Sequence, residues 1–327
     1  MGNGPAHIFS PMAPIIAQSR ARDHGGGLDA AVSHYGGARR DWIDLSTGIN
    51  PVPYPLPTFT AGDWRDLPDQ AAQTHLLSAA RHFWRVPDRA DILAAPGLSA
   101  VIAKIPALRA PGHVRITPPT YNEHEAAFTA AGWQVDDTPA PVRVLVHPNN
   151  PDGRLWQPAD LAPELTIIDE SFCDVLPEKS LIAAAENHLV LKSFGKFWGL
   201  AGLRLGFAVG PPALIAALAE MLGPWPVSGP ALRTGATALE DPDWAASTRA
   251  RLVQDANRLD TAMTAKGAQV AGGTTLFRLY QVDDAAAWQE RLARRQIWSR
   301  IFPYSQTLLR LGLPHPDAFP RVEAALL

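Results

Sequence analysis

The chain has 327 residues, 46% hydrophobic and 19% charged, with a formal net charge of −3. It is long enough for two domains, too apolar for disorder, and lacks the basic excess that nucleic-acid or membrane-surface binding draws on. Cys173 is the sole cysteine, which excludes an internal disulfide and argues against a cysteine-based metal site; no metal is expected. No apolar segment reaches the ~20 residues of a membrane-spanning helix, and no charged-then-apolar leader opens the chain, so the expected location is the cytoplasm.

Met1–Arg22, of mixed polarity with several prolines, reads as a flexible arm. His24-Gly25-Gly26-Gly27 then gives the backbone freedom ahead of a short helix over Leu28–Tyr35; the glycines suit either close approach of an anion or a simple turn. Trp42–Leu45 begins as a strand and becomes an extended, proline-punctuated run through Pro57. From Asp91 onward strands and helices alternate, the pattern of a mainly parallel sheet with crossover helices. Strands are predicted at Asp91–Ala94, His113–Thr117, Val142–Val146, Leu165–Ile168, His188–Lys192 and Leu203–Val209, with helices over Ala100–Leu108 and from Thr120. After Pro211, helices are predicted at Ala213–Leu222, Ala231–Leu239 and Asp243–Lys266. A smaller α+β region follows, with strands near Thr275–Val282, Ile297–Ile301 and Thr307–Leu311 and a helix near Ala285–Ala293. The expected division is a large domain over 51–222 and a small one from 1–50 and 223–327, the arm included.

Residues able to do chemistry stand at the ends of these strands. Pro96-Gly97-Leu98-Ser99 opens a helix, where free N–H groups meet an anion and Ser99 caps or binds. Asn150 lies in His147-Pro-Asn-Asn-Pro-Asp-Gly153, a segment rich in turn formers. Asp169 ends a short buried strand and points toward the crevice where parallel sheets bind ligands. Lys196 sits on a glycine- and aromatic-rich loop between strands, in a chain with five lysines among 29 basic residues, with Ser193 before it and Arg204 after it. A desolvated, cation-rich pocket lowers a lysine's pKa, and the neutral amine is what forms a Schiff base with an aldehyde; Ser193 and Arg204 suit a phosphate.

Ser193-Phe-Gly-Lys196, followed by Gly202-Leu-Arg204-Leu-Gly206, resembles the active-site lysine segment of fold-type I pyridoxal-phosphate enzymes of the aminotransferase family, and the likeness runs from His24 to Arg310. The resemblance implies an α/β fold-type I transferase fold, with a mainly parallel seven-stranded sheet between helices, a smaller α+β domain, pyridoxal 5'-phosphate as cofactor and a homodimer. It implies catalytic roles for Lys196, Asp169 and Tyr121. Asp169 would pair with the ring nitrogen and Tyr121 would stack on the ring, where a tyrosine is otherwise a packing residue. Asn150 would bond the ring oxygen, and Gly97, Leu98, Ser99, Ser193 and Arg204 would hold the phosphate.

His24-Gly-Gly together with Asp44-Leu-Ser-Thr-Gly-Ile-Asn-Pro51 resembles the N-terminal signature of L-threonine-O-3-phosphate decarboxylases of cobalamin biosynthesis. That likeness places His24 and the Gly48 backbone in the substrate pocket and Arg300 at a position facing substrate phosphate or carboxylate, while Arg310 matches the aminotransferase family's carboxylate-binding arginine; which of His24, Arg300 and Arg310 takes which group stays open, and each is otherwise a solvated side chain. It implies a small phosphorylated amino acid as substrate. Two departures stand out: Phe172 where many relatives have Tyr, and Leu67-Pro68-Asp69 where a Tyr-Pro-Asp segment reaches the partner subunit. The alternatives are a histidinol-phosphate-like aminotransferase and a catalytically silent binding protein on the same fold. No Gly-x-Gly-x-x-Gly follows a strand, which argues against a nicotinamide-dependent dehydrogenase.

Overall fold

The computed structural model describes residues 24–326, so the arm read at Met1–Arg22 lies outside the described residues. In chain order the first elements are α1 (Leu28–Tyr35), β1 (Ile43–Asp44), α2 (Ala61–Arg65), α3 (Gln70–Trp84), β2 (Asp91–Ala95), α4 (Leu98–Ile102), β3 (His113–Ile116), α5 (Asn122–Ala130), β4 (Gln134–Asp136) and β5 (Val142–Val146). There follow β6 (Leu165–Asp169), β7 (Leu189–Ser193), β8 (Gly206–Gly210), α6 (Pro212–Leu222), α7 (Gly229–Leu239) and α8 (Pro242–Thr264). The last elements are β9 (Gln269–Thr274), β10 (Phe277–Gln281), α9 (Ala285–Ala293), β11 (Ile297–Trp298), β12 (Arg300–Phe302), β13 (Ser305–Gly312) and α10 (Phe319–Ala325).

Seven strands form the large sheet in the order β2-β8-β7-β6-β5-β3-β4. The run β7-β6-β5-β3-β4 is parallel, while β8 lies antiparallel to both β7 and β2. Side chains alternate between two apolar cores. Ile167, Leu189, Leu191 and Ala208 join residues of α4, α5 and α6, whereas Ile168, Val190, Phe207 and Val209 join those of α3, α7 and α8. Such burial on both faces is what lets parallel strands read as continuous apolar runs. The four-stranded sheet, β12-β13-β10-β9, is antiparallel, and β1 pairs with β11 as a separate parallel ribbon.

Differences from the sequence reading have local causes. The helix predicted over Ala100–Leu108 starts at Leu98 and breaks after Ile102, resuming as a 3-10 turn with Pro106 inside it. The strand predicted over Ile297–Ile301 divides between two sheets, and that over Thr275–Val282 is the second arm of a hairpin. α3 and β4 were not anticipated. Asp69 caps α3 by accepting the Ala72 N–H at 2.8 Å, and Leu76, Ala79, Ala80 and Trp84 form its buried stripe. No helix among the described residues is long and apolar enough to cross a membrane.

Below the loop after β7, aromatic rings form a continuous floor. Trp198 stacks on Phe194 (5.0 Å, 10°) and on Trp244 (5.4 Å, 11°). Asp174 accepts the indole N–H of Trp84 at 2.9 Å and of Trp198 at 3.0 Å, and Lys192 reaches Glu170 at 2.5 Å and Asp174 at 3.7 Å.

Candidate active site

Two adjoining cavities open at the carboxyl ends of β5, β6 and β7. The smaller, of about 240 Å³, brings together Ser99, Ser193 and Arg204 with Asp169 and Lys196, and Leu98, Tyr121 and Asn150 complete its wall. The larger, of about 900 Å³, shares Tyr121, Asn150, Phe172 and Lys196 and adds His24, Arg300 and Arg310. Side chains from His24, ahead of β1, to Arg310 on β13 thus converge at a crevice beyond the strand ends.

Lys196 lies on the turn between β7 and β8, partly buried, its Nζ 5.2 Å from the centre of the Phe172 ring. Burial pushes its ammonium down to about 8, with help from the Arg310 and Arg204 charges and against the pull of Asp169. Asp169, the last residue of β6, is 2% exposed. One carboxylate oxygen meets His124 Nε2 at 2.9 Å; the other accepts from the Ser171 hydroxyl at 2.5 Å and its N–H at 3.0 Å. Burial works to raise the Asp169 pKa, but His124 and Ser171 together hold it below the ordinary carboxylate value.

Arg204 has left-handed backbone (φ 55°) and donates to the Ala201 carbonyl at 3.0 Å. Its guanidinium occupies the space beside Gly97, where a Cβ would stand 2.4 Å from Nη2; Gly97 itself has φ +82°, so both sterics and backbone demand glycine. A cation backed by Gly97, two serine hydroxyls, an ionised carboxylate, and an amine of lowered pKa at one small cavity fit pyridoxal phosphate. Its phosphate, ring nitrogen and aldehyde each have a counterpart.

In the larger cavity, Arg300 and Arg310 are register partners on β12 and β13, so both side chains stand on one face of that sheet. Arg310, 5% exposed, donates to Asn150 Oδ1 and to the Ser46 carbonyl (2.7 Å), and packs over Phe277 at 5.2 Å; Arg300 lies over Phe302 at 5.5 Å. With its oxygen on Arg310, Asn150 presents its amide N–H groups elsewhere. His24 Nε2 meets Glu123 Oε1 at 2.8 Å, which brings the glycine run to α5.

Residues 40–318 match the family described as aminotransferase class I and II. The chain belongs to this family. It is 42% identical to a threonine-phosphate decarboxylase of Sinorhizobium sp, covering 94% of this chain and 95% of the relative, and 38% identical to that of Pseudomonas aeruginosa, covering 93% and 97%. Among solved structures, the histidinol-phosphate aminotransferase of Sinorhizobium meliloti in complex with pyridoxal-5'-phosphate superposes with a TM-score of 0.81 at 19% identity, over 98% of this chain and 97% of that one.

As an aminotransferase-family chain it brings every sequence-predicted site residue to the two cavities except two. Gly97 stands behind Arg204, and Gly48 packs against the rings of Phe172 and Phe277, either of which a Cβ would approach to 2.9 Å; its neighbour Thr47 lines the larger cavity. Sequence reasoning missed His124 and Ser171, both on Asp169. It also treated Phe172 as a lost tyrosine, when the ring is itself a wall against Lys196 and a T-shaped partner of Phe277 at 4.9 Å. His147, Glu170 and Cys173 bring potential metal-ligand atoms within 4.8 Å of one another. Those positions are engaged: His147 accepts from the Trp156 N–H at 3.0 Å and donates to the Lys179 carbonyl at 2.7 Å, and Glu170 takes Lys192, Ser180 and the Leu181 N–H.

Proposed function

We propose that this chain decarboxylates L-threonine O-3-phosphate to (R)-1-amino-2-propanol O-2-phosphate, with pyridoxal 5'-phosphate as cofactor. The observation that carries the reading is the pairing of Arg300 with Arg310 on one wall of the cavity over Lys196. Two guanidinium side chains on one face of that sheet line the cavity, and a phosphorylated amino acid has two anionic groups to offer them. High identity to two threonine-phosphate decarboxylases over nearly the whole chain supports the same substrate.

Bound pyridoxal phosphate supplies the electron sink for the pair released when the bond from Cα to the carboxylate breaks. Ser99, Ser193, Arg204 and the Gly97–Ser99 turn would hold its phosphate, Tyr121 would lie against its ring and Asn150 would serve the ring oxygen. Asp169, kept ionised by His124 and Ser171, would keep a ring nitrogen protonated. Arg300 and Arg310 fix the substrate's two anionic groups and so choose which bond at Cα is set to break. Lys196, which lines both cavities and whose pKa burial lowers to about 8, would be the group that returns a proton to Cα.

The product serves as the nucleotide-loop linker of cobalamin, and the enzyme works in the cytoplasm as a homodimer. Leu56, Trp64 and Leu67, at 60%, 70% and 67% exposure in one short segment, support a covering partner, and Trp64→Glu is expected to yield monomer by light scattering. The central test is to incubate the cofactor-loaded protein with L-threonine O-3-phosphate and trap carbon dioxide. Carbon dioxide without a keto acid is the expected result. A keto acid formed only with 2-oxoglutarate makes the chain an aminotransferase, and no turnover of phosphothreonine removes the proposal.

A further inference from the structure

Asn50 is 2% exposed and grips the Lys196 turn from a segment far away in sequence. Its backbone N–H donates to the Lys196 carbonyl at 3.0 Å, and its Nδ2 donates to the Phe197 carbonyl at 2.9 Å, so one residue ties down two successive peptide units. Its side-chain oxygen accepts from Arg251 Nη2 at 2.6 Å and from the Val52 N–H at 3.1 Å. Arg251, on α8, is in turn held by Asp255 at 2.8 Å. The approach is so close that Gly199 (φ +70°) has no room for a side chain: a Cβ would stand 2.8 Å from the Asn50 carbonyl oxygen and 2.7 Å from Pro53 Cα. Asn50 lines neither cavity, so its hydrogen bonds are spent on the backbone beneath the amine.

We propose that Asn50, braced by Arg251, is the positioning residue that fixes the Lys196 backbone and thereby aims its amine into the smaller cavity. The inference rests on the reading of Lys196 as the cofactor-bearing amine. A lysine side chain is long and freely rotating, so the placement of its tip depends on how firmly its root is held; a misplacement of about 1 Å costs on the order of a hundredfold in rate. Truncating Asn50 releases the Phe197 carbonyl and leaves the Arg251 guanidinium without its oxygen. The turn then loosens, and Lys196 moves away from the groups that face it, Arg310, Arg204 and Asp169.

The test reads Lys196 in the cofactor-free protein and again after loading. In the cofactor-free protein, the pH dependence of Lys196 acylation, followed by peptide mapping, gives a midpoint that should rise by about one unit in Asn50→Ala as the amine regains solvent. In the loaded protein, kcat should fall about tenfold or more with KM within about twofold. Arg251→Ala should shift both in the same direction by less, and Arg251→Lys should recover part of the loss. Should Asn50→Ala fail to fold, Arg251→Ala carries the test. A folded variant whose midpoint and kcat match wild type overturns the proposal, whatever its melting temperature. A wild type that forms no visible band with pyridoxal phosphate removes the underlying reading and the inference with it, whereas a wild-type band beside an unchanged variant removes the inference alone.

Discussion

Lys192, on β7, and Lys196, on the turn that follows, are both withdrawn from water, yet the fold treats their charges in opposite ways. Burial alone would lower the Lys192 pKa, but Glu170 and Asp174 more than offset it and the ammonium is raised above its ordinary value. At Lys196 burial is the largest influence and lowers the amine to about 8, with Arg310 and Arg204 adding to it and Asp169 opposing them. Depth lowers a lysine's pKa where its company does not offset the loss of water. The strand end is divided into a compensated knot, which holds the sheet to its aromatic floor, and a deliberately uncompensated amine above it.

The sharpest way to break that contrast is to remove each lysine in turn. Lys196→Ala should abolish the visible absorption band with pyridoxal phosphate and lower kcat by more than about a thousandfold. Lys192→Met should leave activity per folded molecule nearly intact while costing about 3–5 kcal/mol in urea unfolding, because Glu170 is left buried without its cation. The stability effect of Lys196→Met should carry the opposite sign. Its folded pKa lies below the unfolded one, so the native state binds fewer protons between pH 8 and the ordinary lysine value, and wild-type stability rises with pH across that window. Cofactor-free Lys196→Met should therefore be more stable than wild type at pH 7, by about 1–3 kcal/mol, an advantage that fades by about pH 10.5. The smallest effect concerns the cavity wall rather than the lysine. Arg300→Ala should raise KM for phosphothreonine about threefold and lower kcat by a similar factor, because an anionic group left unfixed sets the bond at Cα less firmly.

How much of this was legible in the sequence depended on whether a residue's partners are near it in the chain. Lys196, Asp169 and Ser99 were readable because each directly follows an apolar strand, and strand ends in a parallel sheet point into the crevice. α3 had both a capping Asp69 and an apolar stripe, so its signal was present and went unused. His124 was not legible: it occupies an ordinary helical position, and what gives it meaning is Asp169, which meets it only when the fold sets α5 beside the end of β6. The same holds for Asn50, which reads as part of an extended segment until the fold sets it under Phe197 and beside Arg251. The division of Ile297–Phe302 between two sheets was equally invisible, since pairing partners on β1 and β13 decide it.

Asn150 belongs to both cavities, and its oxygen is held by Arg310. The two compartments are therefore thermodynamically linked. An anion drawn onto Arg310 competes with Asn150 for the guanidinium and changes what the amide offers on its other side. Reciprocity then requires that whatever factor an anion applies to the affinity for the cofactor, the cofactor applies to the affinity for that anion.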